Sequence, residues 1–127
     1  MKLPQSEEQV IQILWDKKKA FMKDIIEAYP EPKPASTTIA TLLKRLQDKG
    51  VVNHKKYGNV REYFPVLKKE EYFSNQMTGM IKNFFNDSVG QFASFFTSEK
   101  NLTDEQLDEL KSIVEEQIKA RKKSSIS

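Results

Sequence analysis

With 127 residues, 38% hydrophobic and 31% charged, and only 4 Gly and 5 Pro, the chain has the composition of one helix-leaning globular domain, or a small domain with an oligomerising extension. No apolar run approaches the roughly 20 residues of a membrane-spanning helix, and the start MKLPQSEEQV lacks the apolar stretch of a secretory signal, so a cytoplasmic location away from membranes is expected. Zero Cys removes disulfides, thiolate metal sites and Cys nucleophiles, while the net charge of +3 divides unevenly: residues 1–67 carry 12 Lys+Arg against 8 Asp+Glu, residues 68–127 carry 9 against 10.

Ser6 followed by Gln9 has the spacing of a capping box, and Val10, Ile13 and Leu14, with Ile11 and Trp15 behind them, recur as a buried helical stripe does. A first helix over about 6–16 follows. The polar DKKK connects it to Phe21, Met22, Ile25, Ile26 and Tyr29, whose spacing predicts a short second helix. Pro30, Pro32 and Pro34 then exclude helix, since each lacks a donor and pushes its predecessor out of helical geometry. Ser36 is placed to cap a third helix whose face is Ile39, Leu42, Leu43 and Leu46, and Gly50 stands where that helix should end. The next stretch, VVNHKKYGNVREYFPV, has an apolar pair, a polar turn with Gly58-Asn59 and a second β-prone run of Tyr63, Phe64 and Val66, and predicts a β-hairpin.

Three short helices and a hairpin are the order of a winged helix-turn-helix, in which the third helix enters the major groove and the hairpin tip lies on the sugar-phosphate backbone. Residues 33–61 hold seven basic side chains and one acid, Asp48. Ser36, Thr37, Thr38, Thr41, Lys44 and Arg45 on the third helix are therefore candidate DNA contacts. Lys55, Lys56, Tyr57 and Arg61 are candidate contacts from the wing. The bland alternative for each is a solvated polar surface.

From Lys68 onward, Met77, Met80, Ile81, Phe84, Phe85, Val89, Phe92, Phe95 and Phe96 recur at spacings of 3 and 4, interrupted by Gly79 and Gly90, which can permit close helix approach. Thr103 with Gln106 is a second capping box, opening a last helix with Leu107, Leu110, Ile113, Val114 and Ile118. The tail KARKKSSIS is expected to fray. So wide an aromatic face on two helices predicts burial against a second copy, with Phe84, Phe85, Phe92, Phe95, Phe96, Leu107, Leu110 and Val114 at a two-fold interface. The expected architecture is mostly α: a winged helix-turn-helix N-terminal domain over 1–67 and a helical dimerisation region over 68–127.

Catalytic machinery is missing from the pattern. His54 is the only histidine and reads as a polar hairpin residue, Trp15 reads as core, and no Ser-His-Asp set or phosphate-cradling Gly loop occurs. The chain is not expected to be an enzyme, nor to hold a cofactor or metal.

The segments EEQVIQILWDKKKAFMKDIIEAYP, STTIATLLKRLQDKGVVNHKKYGNVREYFPV and LTDEQLDELKSIVEE resemble the penicillinase repressor and methicillin-resistance repressor family, over about Leu3 to Lys119. The resemblance implies a homodimeric transcriptional repressor that binds an operator palindrome in double-stranded DNA and controls resistance or stress genes, with a regulatory protease or membrane sensor as a further partner. In β-lactam-responsive members the repressor is cut at an Asn-Phe bond. The aligned bond here is Phe95-Phe96, without Asn, and the C-terminal cysteines of the copper-responsive branch are missing. Ala40 stands where well-studied members carry Arg. The competing class is a winged-helix module that docks a protein partner without reading DNA sequence.

Overall fold

The computed structural model describes residues 1–98 and 100–126, the last two by backbone alone. The chain divides into two compact units, Met1–Thr78 and Gly79–Ser127.

In the first unit, α1 spans Gln5–Lys17. Its start corrects the Ser6 expectation. Pro4 occupies the cap position, its ring holding a pre-set φ of −57°, and no side chain caps the helix; Ser6 is already inside the first turn. Glu7 and Glu8 supply the negative charge that this end favours. Lys18, at φ 72°, donates its N–H to Leu14 O and turns the chain back. The reversal delivers a two-residue strand that the polar DKKK did not announce: β1, Ala20–Phe21, pairs antiparallel with β3, Val60–Pro65, in the register Ala20 to Tyr63. The third strand, β2, is Val52–Tyr57, and the sheet order is β1-β3-β2. Gly58, at φ 60°, sits in the hairpin turn as expected.

Helix α2, Met22–Glu27, opens with the Asp24 carboxylate accepting the Phe21 N–H at 3.0 Å. Its C-terminal carbonyl at Glu27 is met from the proline segment: Lys33 Nζ donates to Glu27 O at 3.0 Å and, just past the helix, to Tyr29 O at 2.7 Å. Helix α3, Ser36–Asp48, begins at Ser36 itself. Extended Ala35 holds the cap position and no side chain accepts there, a second correction. Gly50, at φ 76°, follows the helix end where only glycine enters that region freely.

Ile39, Leu42, Leu43 and Leu46 of α3 are all buried, packed with Val10, Ile11 and Leu14 of α1, Ile25, Val51, Val52 and Tyr63. Ile13 and Trp15 lie half-buried at the margin of this core, not in its centre. Each fully buried Leu or Ile contributes about 1.5–3 kcal/mol relative to exposure. One charge is buried among them: Glu7, 2% exposed, bonded to Lys49 Nζ. The pair ties α1 to the end of α3, and loss of Lys49 would strand the buried Glu7 carboxylate, whereas Lys49, with a side chain 34% exposed, would still reach water.

The first unit continues beyond residue 67, the boundary expected from sequence, into α4, Lys69–Phe84. Tyr72 is buried; its hydroxyl accepts the Leu3 N–H at 3.0 Å and donates to Glu8 Oε2 at 2.7 Å. Burial first, and the hydrogen bond to Glu8 second, push its pKa above 10.0. Trp15 Nε1 donates to Leu67 O at 2.8 Å, and the Trp15 ring lies 5.7 Å from Tyr72 and 5.8 Å from Phe73. These contacts make the first turns of α4 part of the winged unit.

In the second unit the aromatic pattern breaks between Phe85 and Ser88, not at a glycine. Asn86 (φ 53°) and Asp87 (φ 58°) are both left-handed, and Ser88 Oγ accepts the Gln91 N–H at 3.0 Å to cap α5, Val89–Phe96. Gly79 and Gly90 lie inside helices, and nothing lies within 4 Å of a Cβ placed on Gly79. Thr103 and Gln106 form the expected reciprocal box, at 2.9 and 3.2 Å, before α6, Asp104–Ile126. The helix runs through most of the tail expected to fray; Ser127 lies outside the described residues.

Candidate nucleic-acid interface

Helix α3 has two faces because its apolar residues repeat at helical spacing. Burying Ile39, Leu42, Leu43 and Leu46 turns Ser36, Thr37, Thr38, Thr41, Lys44 and Arg45 outward, and all six are exposed. Ala40 is exposed in the same stretch. Thr41 is less free than its exposure suggests. Its hydroxyl donates to Thr37 O at 3.0 Å, leaving an acceptor lone pair and a methyl group for any outside partner.

The wing presents Lys55, Lys56 and Tyr57 on β2 and Arg61 on β3, all exposed. Lys56 stands directly opposite Arg61, and Lys55 opposite Glu62. Lys55 Nζ lies 5.4 Å from the Tyr57 ring centroid, and Tyr57 meets Phe21 edge-on at 6.3 Å. The aromatic ring thus braces the wing against β1 while holding a cation above it.

The seven basic residues of 33–61 separate by use. Lys33 caps α2 and Lys49 neutralises Glu7. Lys44, Arg45, Lys55, Lys56 and Arg61 form no ion pair among the described residues. Five cations on α3 and the wing of one compact unit, none held in an ion pair and only Lys55 facing an acid across the ladder, make a surface that attracts a polyanion.

A link between these two elements escaped sequence reading. His54 Nδ1 lies 2.7 Å from Gln47 Oε1, joining β2 to α3, and its ring stacks at a tilt 5.7 Å from Tyr63. Expected only as a polar hairpin residue, His54 sets the wing against α3. Residues seven apart on a helix and a strand carry no spacing signal for such a contact.

The expected interface residues of the second unit are unburied. Phe84 is 78% and Phe95 60% exposed, with Phe96 and Val114 also exposed and Phe85, Phe92, Leu107 and Leu110 half-buried. Phe85 packs on Phe92 and Phe95 at 5.6 and 5.5 Å, and Phe92 stacks on Phe96 at 5.6 Å, so the rings order one another while none is fully covered. Among the described residues no His, Asp and Glu cluster can hold a metal ion, and no helix is long and apolar enough to cross a membrane.

Comparison with known proteins adds four findings. The family described as Penicillinase repressor matches residues 3–116. The penicillinase repressor of Bacillus licheniformis is 30% identical over 126 residues, covering 96% of this chain and 98% of its own. The methicillin resistance regulatory protein MecI of Staphylococcus aureus (strain N315) is 26% identical, covering 86% and 89%. Among solved structures, the DNA binding domain of the repressor BlaI matches 56% of this chain and 88% of its own, with a TM-score of 0.50 at 28% identity.

Proposed function

The chain belongs to the penicillinase repressor family, and we propose that it binds an operator palindrome in double-stranded DNA as a homodimer, repressing resistance or stress genes. The observation that carries this reading is the sorting of its basic residues: those on α3 and the wing are left unpaired, while those elsewhere in 33–61 are consumed by the fold. In this reading the exposed start of α3 enters the major groove, with Thr38, Thr41 and Lys44 at base edges and Arg45 beside them. The wing residues Lys55, Lys56, Tyr57 and Arg61 hold the backbone and set affinity more than sequence choice. Two copies join through the aromatic residues around Phe84 and Phe95, whose exposure supports a partner surface. Pairing by a two-fold axis puts two copies of α3 on one side of the duplex, which a palindrome requires.

Selection of bound fragments from the source genome tests the whole reading. Recovery of inverted repeats with half-sites about one helical turn apart, or a multiple of it, is the expected result. Recovery of no common sequence would return the chain to the class of protein-docking winged helices. Gel shifts at several salt concentrations test the wing: Lys55→Ala with Lys56→Ala should weaken binding to every duplex and flatten the salt slope by up to about 1.8, at ~0.9 for each phosphate no longer neutralised. An unchanged slope would remove the wing assignment.

A further inference from the structure

A second concave surface lies in the winged unit, between α2, β1 and the wing. It is a solvent-open cleft of about 860 Å³, within the roughly 300–1,000 Å³ range of small-ligand sites. Its floor is apolar: Phe21, Met22 and Ile26 are half-buried and Tyr63 buried, with exposed Val60 at the rim.

Two cations line the same cleft, Lys23 from α2 and Arg61 from β3, and neither forms an ion pair among the described residues. One acid, Asp24, also lines it, with one carboxylate oxygen already accepting the Phe21 N–H. The ladder sharpens the imbalance. Lys56 and Arg61 are directly opposed like charges, which cross-strand pairing disfavours, whereas one rung away Lys55 faces Glu62.

We propose that this cleft binds a small organic anion: an aromatic or aliphatic carboxylate whose body covers Phe21, Met22 and Ile26 and whose charged group meets Arg61 and Lys23. The chemistry selects that class. A neutral apolar ligand would leave both cations unpaired, and a bare inorganic anion would leave the apolar floor wet. The planar guanidinium of Arg61 matches a carboxylate with two parallel hydrogen bonds.

A consequence for control follows, and it rests on the repressor reading where the binding itself does not. Arg61 is also among the residues assigned to DNA phosphate. A carboxylate held there withdraws that cation from the backbone, so anion and DNA oppose each other, and the antagonism is reciprocal.

The full chain, labelled with ¹⁵N and free of DNA, is titrated with 2-naphthoate. Saturable amide shifts at Phe21, Ile26 and Val60 are expected, with neutral 2-naphthamide about tenfold weaker or worse. Lys23→Ala with Arg61→Ala should weaken naphthoate by a similar factor and leave the naphthamide affinity unchanged, its dispersed amide spectrum confirming the fold. Equal affinity for the two naphthalenes overturns the proposal, as do shifts confined to residues 84–96. Inorganic phosphate reproducing the naphthoate shifts at the same concentration also overturns it. A gel shift then separates the two claims. Naphthoate that binds but leaves DNA affinity unchanged overturns the antagonism alone, whereas failure of the ligand-free chain to bind any duplex counts against the repressor reading.

Discussion

The first unit has fourteen buried apolar side chains, whereas the second, which holds five of the chain's eight Phe, has no buried residue among those described. Hydrophobic content does not explain the contrast. In the first unit three helices and a sheet surround one another, so the Leu stripe of α3 meets α1 on one side and the strands on another. In the second, Phe84 and Phe95 lie on helices with too few neighbouring layers to enclose them. A closed core makes the winged unit a fixed platform for α3, whereas the aromatic face of the other unit is left open, and in the proposed homodimer a second copy would cover it.

The largest effects should come from breaking the closed side. Leu43→Ala, at a side chain 1% exposed, should cost about 2–5 kcal/mol, a large part of the roughly 5–15 kcal/mol that holds a domain folded. Denaturant titration checks it, and a change under about 0.5 kcal/mol would mean that the α3 stripe is not the core. The open side should respond differently. Phe84 makes no ring contact within the described residues, so Phe84→Asp should leave the winged unit folded while lowering the sedimenting mass, because two-fold pairing would bury the introduced charge. An intact dimer in that variant would move the interface elsewhere.

A smaller change sharpens where the first unit ends. Tyr72→Phe keeps the ring against Trp15 but removes the hydroxyl shared by Leu3 N–H and Glu8, and should cost about 1–3 kcal/mol. Because burial and Glu8 raise this phenol's pKa, the folded state holds its proton more tightly than the unfolded chain does. That contribution is complete below pH 10.0 and is lost as pH rises through the higher folded value. Urea midpoints measured from pH 8 upward should therefore fall for the native chain and fall less for Tyr72→Phe. Parallel decline in both would deny Tyr72 a part in the alkaline loss.

Sequence patterns were readable wherever a local rule and the tertiary structure agreed. The α3 stripe, Gly50 after it, the Gly58-Asn59 turn and the Thr103/Gln106 box each follow from spacing along one element. Illegible features needed contacts between elements. β1 is two residues long and exists because Lys18 turns the chain onto β3. Pro4 and Ala35 hold the two cap positions expected for Ser6 and Ser36, as backbone geometry there met the requirement without a hydroxyl. Within the candidate interface, exposure of the six expected contacts on α3 followed from helical periodicity, whereas Lys55, Lys56 and Tyr57 are exposed in a row, which the two-residue strand period does not give. The diversion of Lys33 and Lys49 into the fold was not legible either, since charge counting cannot tell a cap or a buried partner from a free cation.

The smallest expected effect concerns Thr41, where the α3 platform would meet DNA. Its hydroxyl proton is directed to Thr37 O, so the side chain can offer a base either an acceptor oxygen or a methyl group. These alternatives separate cleanly by substitution. Thr41→Val keeps the shape and removes the oxygen, and should change preference at one base pair by about 1 kcal/mol if a cytosine or adenine amino group donates to it. Thr41→Ser keeps the oxygen and removes the methyl, and should shift preference instead if a thymine methyl packs there. Competition gel shifts over operators varied at single positions distinguish the two. Unchanged preference in both variants would place Thr41 away from the bases and leave sequence choice to Thr38, Lys44 and Arg45.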